Sequence, residues 1–274
     1  MPDIVLETSG LQAWYGESHV LHGIDLTVRE GECVTLIGRN GAGRTTTLRA
    51  ILGLTDRRAG SVRVRGAEAI RLPPHRIARL GLGYCPEERG VYRTLTTREN
   101  LTLLPRLGEG GMPLDEVLAL FPNLAERADS YGGRLSGGEQ QMLALGRILT
   151  TGARILLLDE ITEGLAPVIV EALGRAVSLL MSRGFTIVLV EQNFHFARHL
   201  ADRHYVVEHG RIAAEIAAHE VEAREEEVGR LLGCEFTSAI LRIGTSISSL
   251  DQSIHPPHPE VSVHQRWTDL EGGL

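Results

Sequence analysis

The chain has 274 residues, 43% of them hydrophobic, and a formal net charge of -7. That suits one large domain, or a domain with an appendage. The acidic balance excludes a protein held to nucleic acid by overall attraction, so no nucleic-acid partner is expected. Cys33, Cys85 and Cys234 are too widely spaced for a metal or redox motif and read as reduced cysteines of a cytosolic protein. No N-terminal signal pattern is visible. Apolar runs such as TIVLV and ILLL are too short to cross a bilayer. Any membrane role is expected to come through a partner. The chain contains no lysine, and all 28 basic residues are arginine.

Residues 4–35 alternate in a strand-like way and predict an antiparallel start feeding a buried strand, CVTLI. A glycine-rich loop, Gly38 to Gly43, comes next, followed by a predicted helix from Thr45 to Leu54. SVRVRG (Ser61 to Gly66) and LGLGYCPE (Leu80 to Glu87) read as short strands. Residues 98–150 read as mostly helical, with loops marked by Gly108, Gly110, Gly111, Pro113 and Pro122. ILLLD and TIVLVE flank a helix at Val168 to Met181, a βαβ order that implies an α/β core with a parallel sheet. Tyr205 to Glu215 reads as a closing hairpin, and EVEAREEEVGRLLG as a charged terminal helix. Residues 234–274 are Ser-, His- and Pro-rich without periodicity and are expected to form a loosely ordered tail.

Gly38 to Thr45 fits a phosphate-loop pattern, G-x-x-x-x-G-[basic]-T. Its glycines let backbone N–H groups converge on phosphates at a helix N-terminus. Arg44 stands where the strict motif has lysine. It keeps the charge in a bulkier planar fork. Retained nucleotide binding and a weakened site are both open readings. Asp159 and Glu160 end an apolar strand, where one carboxylate suits Mg²⁺ and its neighbour can orient and deprotonate water. LSGGEQQ (Leu135 to Gln141) places Ser136, Gly137 and Gly138 before a helix, a second anion-binding arrangement. His195 and His199 stand four apart on a predicted helix without an evident third metal ligand.

The phosphate loop, LSGGEQQ and the acidic strand end, in that order along the chain, resemble the nucleotide-binding subunit of an ABC transporter over residues 4–233. The resemblance implies an α/β fold, a P-loop NTPase cassette. It has a RecA-like core, an N-terminal antiparallel β subdomain and an inserted α-helical subdomain at about 95–150. It implies ATP and Mg²⁺ as ligands. Tyr15, Gly38, Asn40, Gly41, Ala42, Gly43, Arg44, Thr45 and Thr46 would hold the nucleotide. Thr45, Asp159 and Glu87 would hold the metal, and Glu160, Gln192 and Glu87 would be catalytic. Ser136, Gly137 and Gly138 would meet the nucleotide of a second ATP-binding subunit, in a heterodimer or a homodimer. Transmembrane permease subunits are the implied partners, at the cytoplasmic face of the inner membrane.

Several positions depart from the general ABC pattern. Glu87 replaces glutamine, Gln192 replaces histidine, and Ile161 and Thr162 follow the acidic pair. PEER, EGLAP and VEQN together resemble the branch that serves branched-chain amino acid importers. Urea and amide importers are close relatives. Arg44, Glu87 and Gln192 are expected to share this chain's own core face, while LSGGEQQ is intact. That pattern suggests an asymmetric pair in which this core turns over slowly.

Overall fold

The structure is a computed structural model that describes residues 2–108 and 110–232. The expected tail, 234–274, lies outside the described residues, as does Cys234.

The alternating start resolves into two long strands, β1 (Ile4–Tyr15) and β2 (Ser18–Arg29), paired antiparallel. Along β2, Ile24, Leu26 and Val28 are buried while Asp25 faces solvent, the period-two pattern of a half-covered sheet. β4 (Arg57–Val64) pairs with the other edge of β1, and β5 (Ala67–Glu68) completes a four-stranded sheet in the order β2-β1-β4-β5.

A second sheet forms the core. It is built from β3 (Cys33–Ile37), β6 (Leu82–Cys85), β7 (Ile155–Asp159), β8 (Thr186–Val190), β9 (Arg203–Glu208) and β10 (Arg211–Ala217). Their order is β10-β9-β3-β8-β7-β6, with β10 the antiparallel edge and the other pairs parallel. The unbroken apolar runs of β3, β7 and β8 follow from cover on both faces. Leu156, Leu158, Ile187 and Leu189 enter one hydrophobic cluster, and Ile155, Leu157, Val188 and Val190 enter another on the opposite face.

Helix α1 (Arg44–Leu52) follows β3, and α2 (Pro74–Ala78) precedes β6. The expected helix to Leu54 stops two residues early because Gly53 takes φ 74 at its C-cap. Between β6 and β7 stand α3 (Thr97–Thr102), α4 (Leu114–Leu120), α5 (Pro122–Glu126) and α6 (Gly137–Leu149). This is the predicted helical insertion, but residues 103–108 and 110–113 within it are irregular. They lie against the end of α6, where the Leu107 and Met112 N–H groups donate to the carbonyls of Thr151 and Leu149. Helix α7 (Pro167–Ser182) makes the β7-to-β8 crossover; α8 (Phe194–Leu200) and α9 (Glu225–Leu232) complete the described chain.

Candidate functional site

The phosphate loop leaves the C-terminal end of β3, as expected for a ligand loop on a parallel sheet. Two of its glycines are enforced by space. A Cβ on Gly38 (φ 154) would lie 2.2 Å from the Val207 carbonyl oxygen. One on Gly43 (φ 109) would lie 2.9 Å from Leu21 Cδ2. Gly43 is also the N-cap of α1 and brings no side-chain cap. The first N–H groups of the helix therefore remain available to an anion.

The loop lines a cleft of about 360 Å³, formed by Val20, Asn40 to Thr46, Glu87, Glu160 and Glu163. Arg44 is only 4% exposed. Its guanidinium donates to the Glu191 carbonyl oxygen at 2.8 Å, to Asn40 Oδ1 at 3.1 Å and to Glu160 Oε1 at 3.0 Å. Three acceptors at different bearings suit a planar fork, and an ammonium on a lysine stem has no such spread. The basic residue of the loop and the acid after β7 thus form an ion pair.

Thr45 donates its hydroxyl to Asp159 Oδ1 at 2.9 Å, and Tyr84 donates to Asp159 Oδ2 at 2.9 Å. Burial raises the Asp159 carboxyl, against the lowering effect of these two bonds. Glu160 takes φ 48, a left-handed conformation rare outside glycine. Its carboxyl is pushed up to about 7, first by burial and then by a hydrogen bond to Glu163, with Arg44 pulling the other way. Glu87, Glu160 and Glu163 each place a carboxylate oxygen within 4.8 Å of the others. Burial, then the charges of Glu163 and Glu88, raise the Glu87 carboxyl.

The other sequence candidates are dispersed. Tyr15 ends β1, where it pairs in register with Ser18. It is not among the cleft's lining residues; Val20 of the next strand is. Gln192 is exposed after β8 and also lies off the lining, so the cleft groups Arg44 and Glu87 without it. Ser136 is the N-cap of α6 in a capping box with Glu139, and Gly137 and Gly138 are the first two helical residues rather than a lead-in. Gly138 is fixed by packing, since a Cβ there would meet Ile169 at 2.9 Å. None of these three lines the cleft. His195 and His199 pack edge to face with ring centroids 4.9 Å apart.

Tyr84, Glu163 and Glu191 stand at the site without having been singled out from the sequence. Glu163 offered a weak signal, an E-x-x-E spacing across a strand-end turn. Tyr84 and Glu191 offered none, because only the sheet order brings β6, β7 and β8 side by side.

A phosphate loop on a parallel sheet, an acidic strand end beside it and a capped glycine pair on an inserted helix define a nucleoside triphosphate hydrolase of the cassette type. The ABC transporter family model matches residues 21–163. The chain is 42% identical over 211 residues to BraG of Pseudomonas aeruginosa, a high-affinity branched-chain amino acid transport ATP-binding protein. That alignment covers 76% of this chain and 91% of BraG. It is 35% identical over 226 residues to LivF of Archaeoglobus fulgidus, a probable branched-chain amino acid transport ATP-binding protein, covering 81% of this chain and 96% of LivF. Among solved structures, the dimeric bacterial ABC transporter cassette MJ0796 shares the fold, with a TM-score of 0.69 and 24% identity. It covers 78% of this chain and 98% of MJ0796. The chain belongs to the ABC transporter family and is one of its ATP-binding ATPases.

Proposed function

We propose that this chain is the ATP-hydrolysing subunit that powers a branched-chain amino acid importer. The relatives BraG and LivF support the substrate class. The observation that carries the catalytic reading is the Arg44–Glu160 pair beside the phosphate loop. In it the loop's cation and the acid of the β7 end occupy one cleft.

Asn40 to Thr46 bind the phosphates of ATP through backbone N–H groups, and Arg44 supplies the cation. Glu160 orients the attacking water and takes its proton, a role helped by a carboxyl lying near neutral pH. Glu87 and Gln192 complete the catalytic set, and Tyr15 the adenine side. Thr45, Asp159 and Glu87 offer hard oxygen donors, the ligand type Mg²⁺ selects, and the 2.9 Å link from Thr45 to Asp159 supports that assignment. Bound there, Mg²⁺ would neutralise charge on the phosphates.

Ser136, Gly137 and Gly138 face the nucleotide of a second ATP-binding subunit in this reading. The dimeric state of MJ0796 supports such pairing. No helix among the described residues is long and apolar enough to cross a membrane. In this reading, attachment to the cytoplasmic face of the membrane runs through permease subunits. Residues 1–233 form the cassette, with 95–150 as its helical part.

A second reading starts from the same ion pair. Arg44 already holds Glu160, so the pair favours a subunit that binds ATP and hydrolyses it slowly. Mg-ATP hydrolysis by the native chain, Arg44→Lys and Glu160→Gln decides between them. Turnover abolished by Glu160→Gln and little changed by Arg44→Lys supports the motor reading. A silent native chain rescued by Arg44→Lys supports the slow one. Uptake of labelled leucine, set against urea, by membrane vesicles carrying the assembled system tests the substrate.

A further inference from the structure

Glu191 is a buried carboxylate to which the catalytic reading gives no part. It is 2% exposed and follows β8 directly. A carboxylate removed from water is costly unless its lone pairs are used. Here they are used by one neighbour above all. Thr162 donates its N–H to Glu191 Oε1 at 3.2 Å and its hydroxyl to Oε2 at 2.8 Å.

The backbone of Glu191 extends the same connection. Its N–H donates to the Leu36 carbonyl on β3 at 3.4 Å, and its carbonyl accepts Arg44 at 2.8 Å. Arg44 in turn reaches Glu160 at 3.0 Å, and the Glu160 N–H donates to the Val190 carbonyl at 2.8 Å. The contacts close a ring: Glu191 to Thr162, along the turn to Glu160, to Arg44, and back to Glu191. Thr162 lies between Glu160 and Glu163, whose carboxylates both stand in the cleft. Of the ring's side chains, Glu191, Thr162 and Arg44 are all buried, so water competes weakly for their bonds.

We infer that Glu191 is a positioning residue for ATP hydrolysis: by clamping Thr162 it fixes the turn that carries Glu160 and Glu163 against Arg44 and the phosphate loop. The inference rests on the catalytic reading of Glu160. It assigns Glu191 no contact with nucleotide, so its loss acts on turnover rather than on affinity.

The test compares the native chain with Glu191→Ala, Glu191→Gln and Thr162→Val. It measures steady-state Mg-ATP hydrolysis, equilibrium binding of a fluorescent ATP analogue and amide hydrogen exchange in the nucleotide-free chain. Misplacing Glu160 lowers kcat ~10–10²-fold in the alanine and valine variants, with analogue affinity changed less than about threefold. Glu191→Gln can keep both contacts, its amide oxygen accepting the Thr162 N–H and its NH2 donating to the Thr162 hydroxyl in the reverse direction, and retains most of the rate. Amides of 160–165 exchange faster in the alanine and valine variants, while those of β3 are unchanged. Native turnover with an unchanged kcat in Glu191→Ala and Thr162→Val overturns the inference. So does a loss confined to KM. A native chain without turnover counts against the hydrolysis reading instead, and the exchange of 160–165 then decides this one. If Glu191→Ala does not fold, Thr162→Val, which removes one hydroxyl at constant shape, carries the same outcomes.

Discussion

At the residue scale, the site is governed by charges held away from water. Glu160 and Glu191 are both raised to about 7, chiefly by burial. For Glu191, the folded protein binds a proton more tightly than the unfolded chain. Its contribution to stability is full below the ordinary glutamate range and is lost as pH rises through about 7. Glu191→Gln removes that linkage. The variant is therefore expected to gain thermal stability relative to the native chain between about pH 5 and pH 8. Melting curves across that range check it, and a variant losing ground with rising pH would contradict the shift. Glu160→Gln is expected to lower kcat by ~10²–10⁴ with nucleotide affinity kept, as loss of a general base does. Arg44→Ala removes the cleft's buried cation and leaves Glu160 without its partner. An affinity loss of roughly tenfold or more, read by fluorescent-nucleotide titration, is expected from a lost charge-assisted contact.

At the element scale, the glycines of the phosphate loop are set by their neighbours as much as by a ligand. Gly38→Ala would force a Cβ to 2.2 Å from the Val207 carbonyl oxygen, at a φ of 154. The loop must then shift off β9. Strain of this kind costs on the order of 1–3 kcal/mol before the clash is counted. Reduced nucleotide binding together with a lower Tm is the expected outcome, measured by titration and thermal unfolding. The helix caps are separate and cheaper. Thr96 caps α3 in a capping box with Glu99. Thr96→Ala is expected to cost about 1 kcal/mol of stability without touching ATP turnover. A large loss of turnover would show that α3 does more than fold. Ser136 makes the same box with Glu139, so Ser136→Ala mixes a cap loss of about 1 kcal/mol with any role toward a partner's nucleotide. Only the turnover lost beyond that of Thr96→Ala speaks for the role.

At the scale of the whole molecule, the cleft and the capped glycines of α6 are separate features of one chain. None of Ser136, Gly137 and Gly138 lines the cleft that holds Arg44 and Glu160. This separation suits a dimer in which each chain completes its partner's site. In the proposed reading the Arg44–Glu160 pair belongs to this chain's own core, and the intact LSGGEQQ would serve the nucleotide of the partner. In a mixed dimer, disabling the partner core's glutamate is therefore expected to cost more turnover than Glu160→Gln in this chain. Equal losses from the two substitutions would refute the asymmetry.

The motifs were legible because each is local. Gly38 to Thr46, Ser136 to Gly138 and Asp159–Glu160 are short runs whose chemistry depends on adjacent residues. The parallel core was legible too, since the runs ILLL and IVLV lack polar alternation, as strands covered on both faces do. The irregular stretches at 103–108 and 110–113 were less so, because their course is set by hydrogen bonds to the end of α6. What the amino-acid order could not show is which residues meet across strands. Glu191, Thr162 and Arg44 are far apart in the chain and come together only because β8 lies between β3 and β7. The same order puts Tyr84 on Asp159 and turns an arginine in a phosphate loop into the ion-pair partner of Glu160. Sequence determined the class of chemistry, since local spacing specifies loops, caps and strand ends. Tertiary structure decided how that chemistry is held, since burial, pairing and pKa arise only where distant segments exclude water together.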